Sequence, residues 1–164
     1  TRKSPRTTAL RGGGINGALR HPLAGFIPLF RAAPMLLSMA VLSTALLFGG
    51  MVLYSFGFAA FVFKALPPQT AGATLRQAFP WFYAFVIGTA AVSAALWWPS
   101  DRTSAAVLAT VALSTVPVRQ LLMPAINRAT DGGQRRRFQW LHGLSVLVTL
   151  AHIGATGWLL AHIA

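Results

Sequence analysis

Three histidines, His142, His152 and His162, stand at ten-residue intervals in the last apolar stretch of the chain. Imidazole is a common metal and haem ligand, so their spacing decides whether they can act together. On a helix a ten-residue step turns each ring by about 80° from the one before, and the three cannot converge on one ion. A haem or chlorophyll needs a single axial ligand from one side, and His152, deepest in the stretch, is the candidate for it. The plainer reading places His142 at one interface beside Arg135 to Arg137 and His162 near the other, leaving only His152 in need of a buried partner. Ser145 is a helical neighbour of His142 and Thr149, but no acid is near enough in sequence to orient a catalytic His. Hydrogen bonding between helices is the expected use of that pair, and no enzymatic activity is expected. The chain has no Cys and only two acids, Asp101 and Asp131, so thiolate metal sites and cysteine nucleophiles are excluded.

Against those two acids stand 14 Lys and Arg, a formal charge of +12, while 55% of the residues are hydrophobic. A soluble domain with this balance would expose large apolar patches, whereas a bilayer holds basic loops at anionic headgroups. Arg119, Arg128, Arg135, Arg136 and Arg137 are candidates for binding anionic phospholipid such as cardiolipin. Nucleic acid is not the expected partner, because the basic residues lie in short segments without interleaved aromatic platforms.

These residues are positioned by four uncharged runs: Ala32 to Phe63, Gln77 to Ser100, Thr103 to Val118 and Phe138 to Ala164. The first is longer than a buried helix of a soluble domain needs and is long enough to cross a membrane. The fold expected is all-α: a polytopic membrane protein with four transmembrane helices in a compact bundle, residues 35–164, behind a basic N-terminal extension, residues 1–34. The spans should run over about 35–63, 79–98, 102–124 and 138–163. Gly49-Gly50 is the expected bend in the first, and Pro80 should open the second, which ends at Trp97, Trp98 and Pro99. The tight turn WPSDRTS makes spans two and three a hairpin, with Asp101 or Ser100, or Thr103 slightly later, capping the third helix. Leu23 to Phe30, interrupted by prolines, should lie at the interface.

In lipid, helices associate where small residues let backbones approach. Ser43, Gly50 and Gly57 form such a stripe in the first span, Gly88, Ala91 and Ala95 in the second, and Gly143, Ala151, Gly154 and Ala155 in the fourth. Sidedness stays open, because Arg2, Lys3, Arg6, Arg11, Arg20, Arg31 and Arg102 on one side balance Lys64, Arg76, Arg119, Arg128, Arg135, Arg136 and Arg137 on the other. Residues 1–22 are basic, free of acids and rich in Ser, Thr and Gly, a composition that resembles an organellar targeting segment. A beginning at Thr1 fits a processed import precursor.

From about Leu46 onward the chain resembles the family of small four-helix membrane proteins that includes transmembrane protein 205. Phe63 to Tyr83, FKALPPQTAGATLRQAFPWFY, with Phe79 and Pro80, is similar to that family's first loop and second span. Arg137-Phe138 followed by Leu141 to Ser145, with His142 and Ser145, is similar to the start of its last span. Thr149 departs from the Asn expected there. The resemblance implies four spans and no established enzymatic activity. Taken with the basic arm, it leads to the expectation of a non-catalytic accessory subunit of a large organellar complex, with other membrane subunits and anionic lipid as partners. A respiratory-chain or ATP synthase assembly of the mitochondrial inner membrane is favoured. The alternatives are a photosynthetic complex of the thylakoid membrane, with a His-ligated pigment or haem, and an autonomous small-solute transporter or channel.

Overall fold

A computed structural model of the protein describes Thr1 and residues 27–163, those from 27 to 33 by backbone alone. Arg2, Lys3, Arg6, Arg11 and Arg20 of the basic arm, and the start of the proline-interrupted segment, lie outside the described residues. Every secondary-structure element among the described residues is helical: α1 (Ile27–Val52), a π-helical stretch (Leu53–Phe58), α2 (Ala59–Ala65), α3 (Pro68–Trp97), α4 (Arg102–Pro117), a second π-helical stretch (Val118–Leu122), α5 (Met123–Asp131) and α6 (Arg135–Ile163). Four continuous helical stretches are long and apolar enough to cross a membrane: Pro34–Ala65, Pro68–Trp97, Arg102–Asp131 and Arg135–Ile163. The protein is thus an all-α, polytopic membrane protein.

The connections are shorter than the polar residues between the apolar runs suggest. Leu66, extended at φ −120° and ψ 150°, and Pro67 separate the first two spans, and Pro68 starts α3 at a position where a missing N–H costs nothing. The residues QTAGATLRQA, expected as loop, form the first turns of α3, because Ala71, Leu75 and Phe79 recur at helical spacing and pack against Val62, Phe58 and Leu66. Pro80 therefore sits inside the helix rather than at its start. Asn127 to Asp131, also expected as loop, extend the third span as α5, and the turn to α6 shrinks to Gly132, Gly133 and Gln134. Gly133 takes φ +62°, a conformation that disfavours side chains. The first helix also begins earlier than expected and runs through Pro34. It stays α-helical across Gly49-Gly50, and its irregularity falls just beyond them, in the π-helical stretch.

Asp101 caps α4, accepting from the Thr103 N–H at 2.9 Å and the Ser104 N–H at 3.3 Å. The Ser104 hydroxyl, and after it the Thr103 N–H, hold the Asp101 carboxyl below the usual carboxylate range. A carboxyl depressed in the fold stabilises it above the ordinary pKa of about 3.9, and the contribution is lost as pH falls through the lower value. The thermal midpoint should therefore drop on acidification below about pH 4, and Asp101→Asn should flatten that dependence. A variant as acid-sensitive as the parent in a calorimetric pH series would refute this account of the cap.

The spans form a ring in which the first packs on α3 and α6, and α4 packs on the same two from the opposite side. Its centre is filled by Ala40, Leu47 and Met51 of α1, Phe82, Val86 and Trp97 of α3, and Leu108 and Val111 of α4. Large apolar residues such as Leu42, Phe61, Leu113 and Leu147 point outward, as lipid allows. Trp81 of α3 and Trp98 just beyond its end are exposed and roughly 26 Å apart along the helix axis, as are Trp140 and Trp158 of α6 at about 27 Å, close to a hydrocarbon thickness of about 30 Å. The turns at Leu66-Pro67 and Gly132–Gln134 share one end of the ring, and the turn at Trp98–Asp101 is at the other. Because the chain has no native cysteine, single-cysteine labelling can test this topology. An impermeant maleimide should reach Ser100→Cys from one side of sealed vesicles and Gln134→Cys only from the other; labelling of both from one side would break the four-span topology.

Candidate functional site

Some hydroxyl groups in the spans share one pattern. Ser43, Thr44 and Ser114 each give a proton to a backbone carbonyl about one turn back and meet a partner across the helix interface. Thr44 Oγ1 donates to Ala40 O at 2.8 Å and accepts from Trp97 Nε1 at 3.0 Å. Ser43 Oγ donates to Ala40 O at 3.0 Å and accepts from Ser93 Oγ at 2.9 Å. Ser114 Oγ donates to Thr110 O at 2.6 Å and lies 2.9 Å from His152 Nε2. Since the Ser114 proton is committed to the carbonyl, the ring must be the donor, which assigns the neutral tautomer protonated at Nε2. Tyr83 and Ser145, both buried, share a 2.9 Å hydrogen bond. These bonds join span one to two, two to four and three to four, and in hydrocarbon each contributes about 0.6 kcal/mol and at most about 1.7.

Between Tyr83 and His152 lies a small, partly open cavity lined by Met51, Phe82, Tyr83, Val86, Thr115, Val118, Val148, Thr149 and His152. The space a water's centre can occupy there is ≈ 10 Å³, about that of one molecule. Both π-helical stretches border this level: Val118 begins the second, and Tyr54, in the first, stacks on Phe82 with centroids 4.4 Å apart. The Tyr54 hydroxyl is buried and has no partner among the described residues. His152 does not fit an axial ligand to haem or chlorophyll, since its Nε2 is engaged by Ser114 and the space beside it takes a water rather than a macrocycle. His142 is exposed and stacks on Phe138, and His162 donates from Nδ1 to Trp158 O at 2.9 Å, so the three histidines stay apart. Among the described residues no group of three or more His, Cys, Asp or Glu could hold a metal ion.

The second cluster is the end of the ring that carries two turns. Lys64, Arg76, Arg119, Arg128, Arg135, Arg136 and Arg137 gather there, with Asp131 as the one acid. Arg76 pairs with Asp131 at 2.7 Å across spans two and three, an exposed bridge contributing roughly 0–1 kcal/mol. Arg119 Nε donates to Pro80 O at 3.3 Å, so the carbonyl of the in-helix proline anchors a cation beside exposed Trp81. Gln134, Arg135, Arg136, Arg137 and Trp140 line an open hollow of ≈ 540 Å³. At the opposite end, Arg102 lies over the Trp98 ring at 4.0 Å, and Arg31 lies on α1 toward that side.

The small-residue stripes divide. Gly50 makes a close approach, since a Cβ there would meet the Phe85 ring at 2.6 Å, and Ser43 faces Ser93. Gly57 has only Leu53 of its own helix near it. Gly88, Ala91 and Ala95 on α3 and Gly143, Ala151 and Gly154 on α6 are exposed on the outside of the ring, so they do not pack the bundle as their spacing suggested. The contact in α6 is made instead by Gly157 against Phe48. Among the family-motif residues, Phe79 joins the aromatic cluster with Tyr83, Pro80 holds Arg119 and Ser145 meets Tyr83, while His142 stays outside. Sequence reasoning passed over Ser114 and Thr115 and read Tyr83 and Trp97 as interface aromatics, whereas both are buried between helices. The usable signal was Ser145, Thr149, His152 and Thr156, which fall on one helical face.

A family model described as a domain of unknown function (DUF4149) matches residues 42–135, more than half of the chain. The chain belongs to the DUF4149 family. The matched residues take in three of the four spans, from the middle of α1 to the first residue of α6, so the DUF4149 region holds Tyr54, Tyr83 and Ser114 but not Ser145 or His152. No curated protein and no solved structure matches this DUF4149 chain.

Proposed function

We propose that this DUF4149 protein is a non-catalytic accessory subunit of a larger membrane assembly, a four-span strut whose basic end grips anionic phospholipid. The observation that supports this reading is a local excess of cations: at the end with two turns, seven Lys and Arg answered by a single acid lie outside or beside Trp81 and Trp140. Each such cation near an anionic surface contributes about 1 kcal/mol. The interior supports the same reading, because its polar groups are used to bind helix to helix and its ≈ 10 Å³ cavity is no path for a solute. The outward Gly and Ala faces of α3 and α6 allow close approach by neighbouring helices.

Within that reading, the composition of residues 1–22 favours the mitochondrial inner membrane, a respiratory-chain or ATP synthase assembly, and cardiolipin as the lipid, with the thylakoid membrane as the alternative. The Phe79-Pro80 and His142 to Ser145 motifs support a closer relationship to the proteins that include transmembrane protein 205; the second motif lies beyond the matched DUF4149 region. The test is extraction from the native membrane in mild detergent, a native gel, and mass spectrometry of what comigrates. Migration with a large assembly is expected. Migration near its own 17.5 kDa mass plus the detergent micelle would overturn the subunit reading.

A further inference from the structure

We infer that the cavity between Tyr83 and His152 is an ordered-water site inside the membrane, where one water acts as hydrogen-bond donor to hydroxyl oxygens of spans three and four. Thr115 Oγ1 donates to Val111 O at 2.6 Å, and Thr149 Oγ1 donates to Ser145 O at 3.0 Å. Their protons are committed to their own helices, as those of Ser43, Thr44 and Ser114 are. Those three then accept from Ser93, Trp97 and His152 across an interface. Thr115 and Thr149 follow the same rule up to that point, but among the described residues neither has a donor across the interface, and both line the cavity.

The imidazole of His152 lines it too. With its proton on Nε2 toward Ser114, its Nδ1 is an acceptor, so the ring adds no proton to the space. The Tyr83 hydroxyl is engaged with Ser145, so Thr115, Thr149 and His152 offer acceptors, and their complement is a one-atom species that brings its own protons. Water fits both the chemistry and the ≈ 10 Å³. A dry apolar cavity of this size needs apolar walls, whereas four of these nine lining residues carry polar atoms. Val118, which lines the space, opens one π-helical stretch, and Met51, which also lines it, lies two residues before the other. Water between spans also makes good a partner that neither Phe82 nor Val86, the residues opposite, can supply.

The experiment uses the full chain, ¹⁵N,¹³C-labelled at histidine, in lipid bilayers, with magic-angle-spinning NMR. In the parent the His152 shifts should report a proton on Nε2 and a bare Nδ1, and magnetisation from water protons should reach the ring as fast as it reaches exposed His142. The Thr115→Val and Thr149→Val double variant should slow that transfer at least severalfold at His152 and leave His142 unchanged. Val148→Ile, which fills the space with a methyl group, should do the same and lower the thermal midpoint, because the displaced water's bonds are not remade; a dry cavity would be stabilised by the same methyl. No water transfer to His152 in the parent would overturn the inference without recourse to any variant. A raised midpoint in Val148→Ile, or transfer unchanged in the double variant, would also overturn it.

Discussion

Replacing Arg135, Arg136 and Arg137 together by Gln is expected to weaken retention of anionic phospholipid by about a hundredfold while leaving the fold intact or slightly more stable. The magnitude comes from three interfacial cations at about 1 kcal/mol each, and 1.4 kcal/mol is a factor of ten. The sign of the stability change comes from where they sit. All three occupy the first turn of α6, which contains no acid, and positive charge at a helix N-terminus works against the macrodipole by roughly 0.3–1 kcal/mol. Asp131 is engaged with Arg76, and Arg137 reaches only the Gln134 amide oxygen at 3.2 Å. These arginines are therefore placed at a cost to the helix, with no ion pair among the described residues to offset it, and in the proposed function a bound anion would offset that cost.

Native mass spectrometry of purified protein, counting bound anionic lipid over a titration, reads the first effect; thermal unfolding reads the second. Gln keeps good helix propensity, so the substitution removes charge with little other change. Arg102→Gln, at the other end and over Trp98, is the control and should leave lipid retention near the parent value. Retention should also fall as ionic strength rises, because exposed charges are screened over about 10 Å at 0.1 M. Parental lipid retention in the triple variant would remove the basic end from the proposed function.

How much of this was legible in the sequence depended on which physical signal each residue carries. The spans were legible because exclusion of charge from hydrocarbon is a strong, local constraint that a single chain displays directly. The helix ends were not. Pro68 to Ala78 looks like a loop by its Pro, Gly, Thr and Gln, yet Ala71 and Leu75 find Val62 across a two-residue turn and pull the segment into α3. Asp101 was readable as a cap because its partners, Thr103 and Ser104, are adjacent in the chain. The polar interior was only half readable: the donor side of most hydroxyl bonds is set by their own helix, but the acceptor side depends on rotation about the span axis. That rotation puts Ser114 against His152 and leaves Gly88, Ala91 and Ala95 facing out, and a helical wheel without neighbours cannot give it.

Adjacent glycines provide the sharpest case, and Gly49→Leu and Gly50→Leu should differ in sign. Around Gly49 there is nothing within 4 Å of an added Cβ, whereas at Gly50 it would stand 2.6 Å from Cε1 and Cζ of Phe85. Leu at position 49 would meet lipid and gain up to about 1 kcal/mol of helix propensity over Gly. At position 50 the same gain is outweighed, because overfilling a packed contact costs about 1–3 kcal/mol and relief requires the Phe85 ring to turn aside or the first span to move away from α3. Phe85 is half-buried and packs against the core, so its ring has limited room to turn aside. Chemical denaturation in detergent should place the two variants on opposite sides of the parent. Adding Phe85→Ala to Gly50→Leu should recover part of the loss, a coupling between residues on different spans that a purely local helix effect would not show. Equal shifts for the two leucines, or no coupling to Phe85, would mean that the first and second spans do not meet face to face at Gly50, and the ring of four helices would have to be rotated about α1.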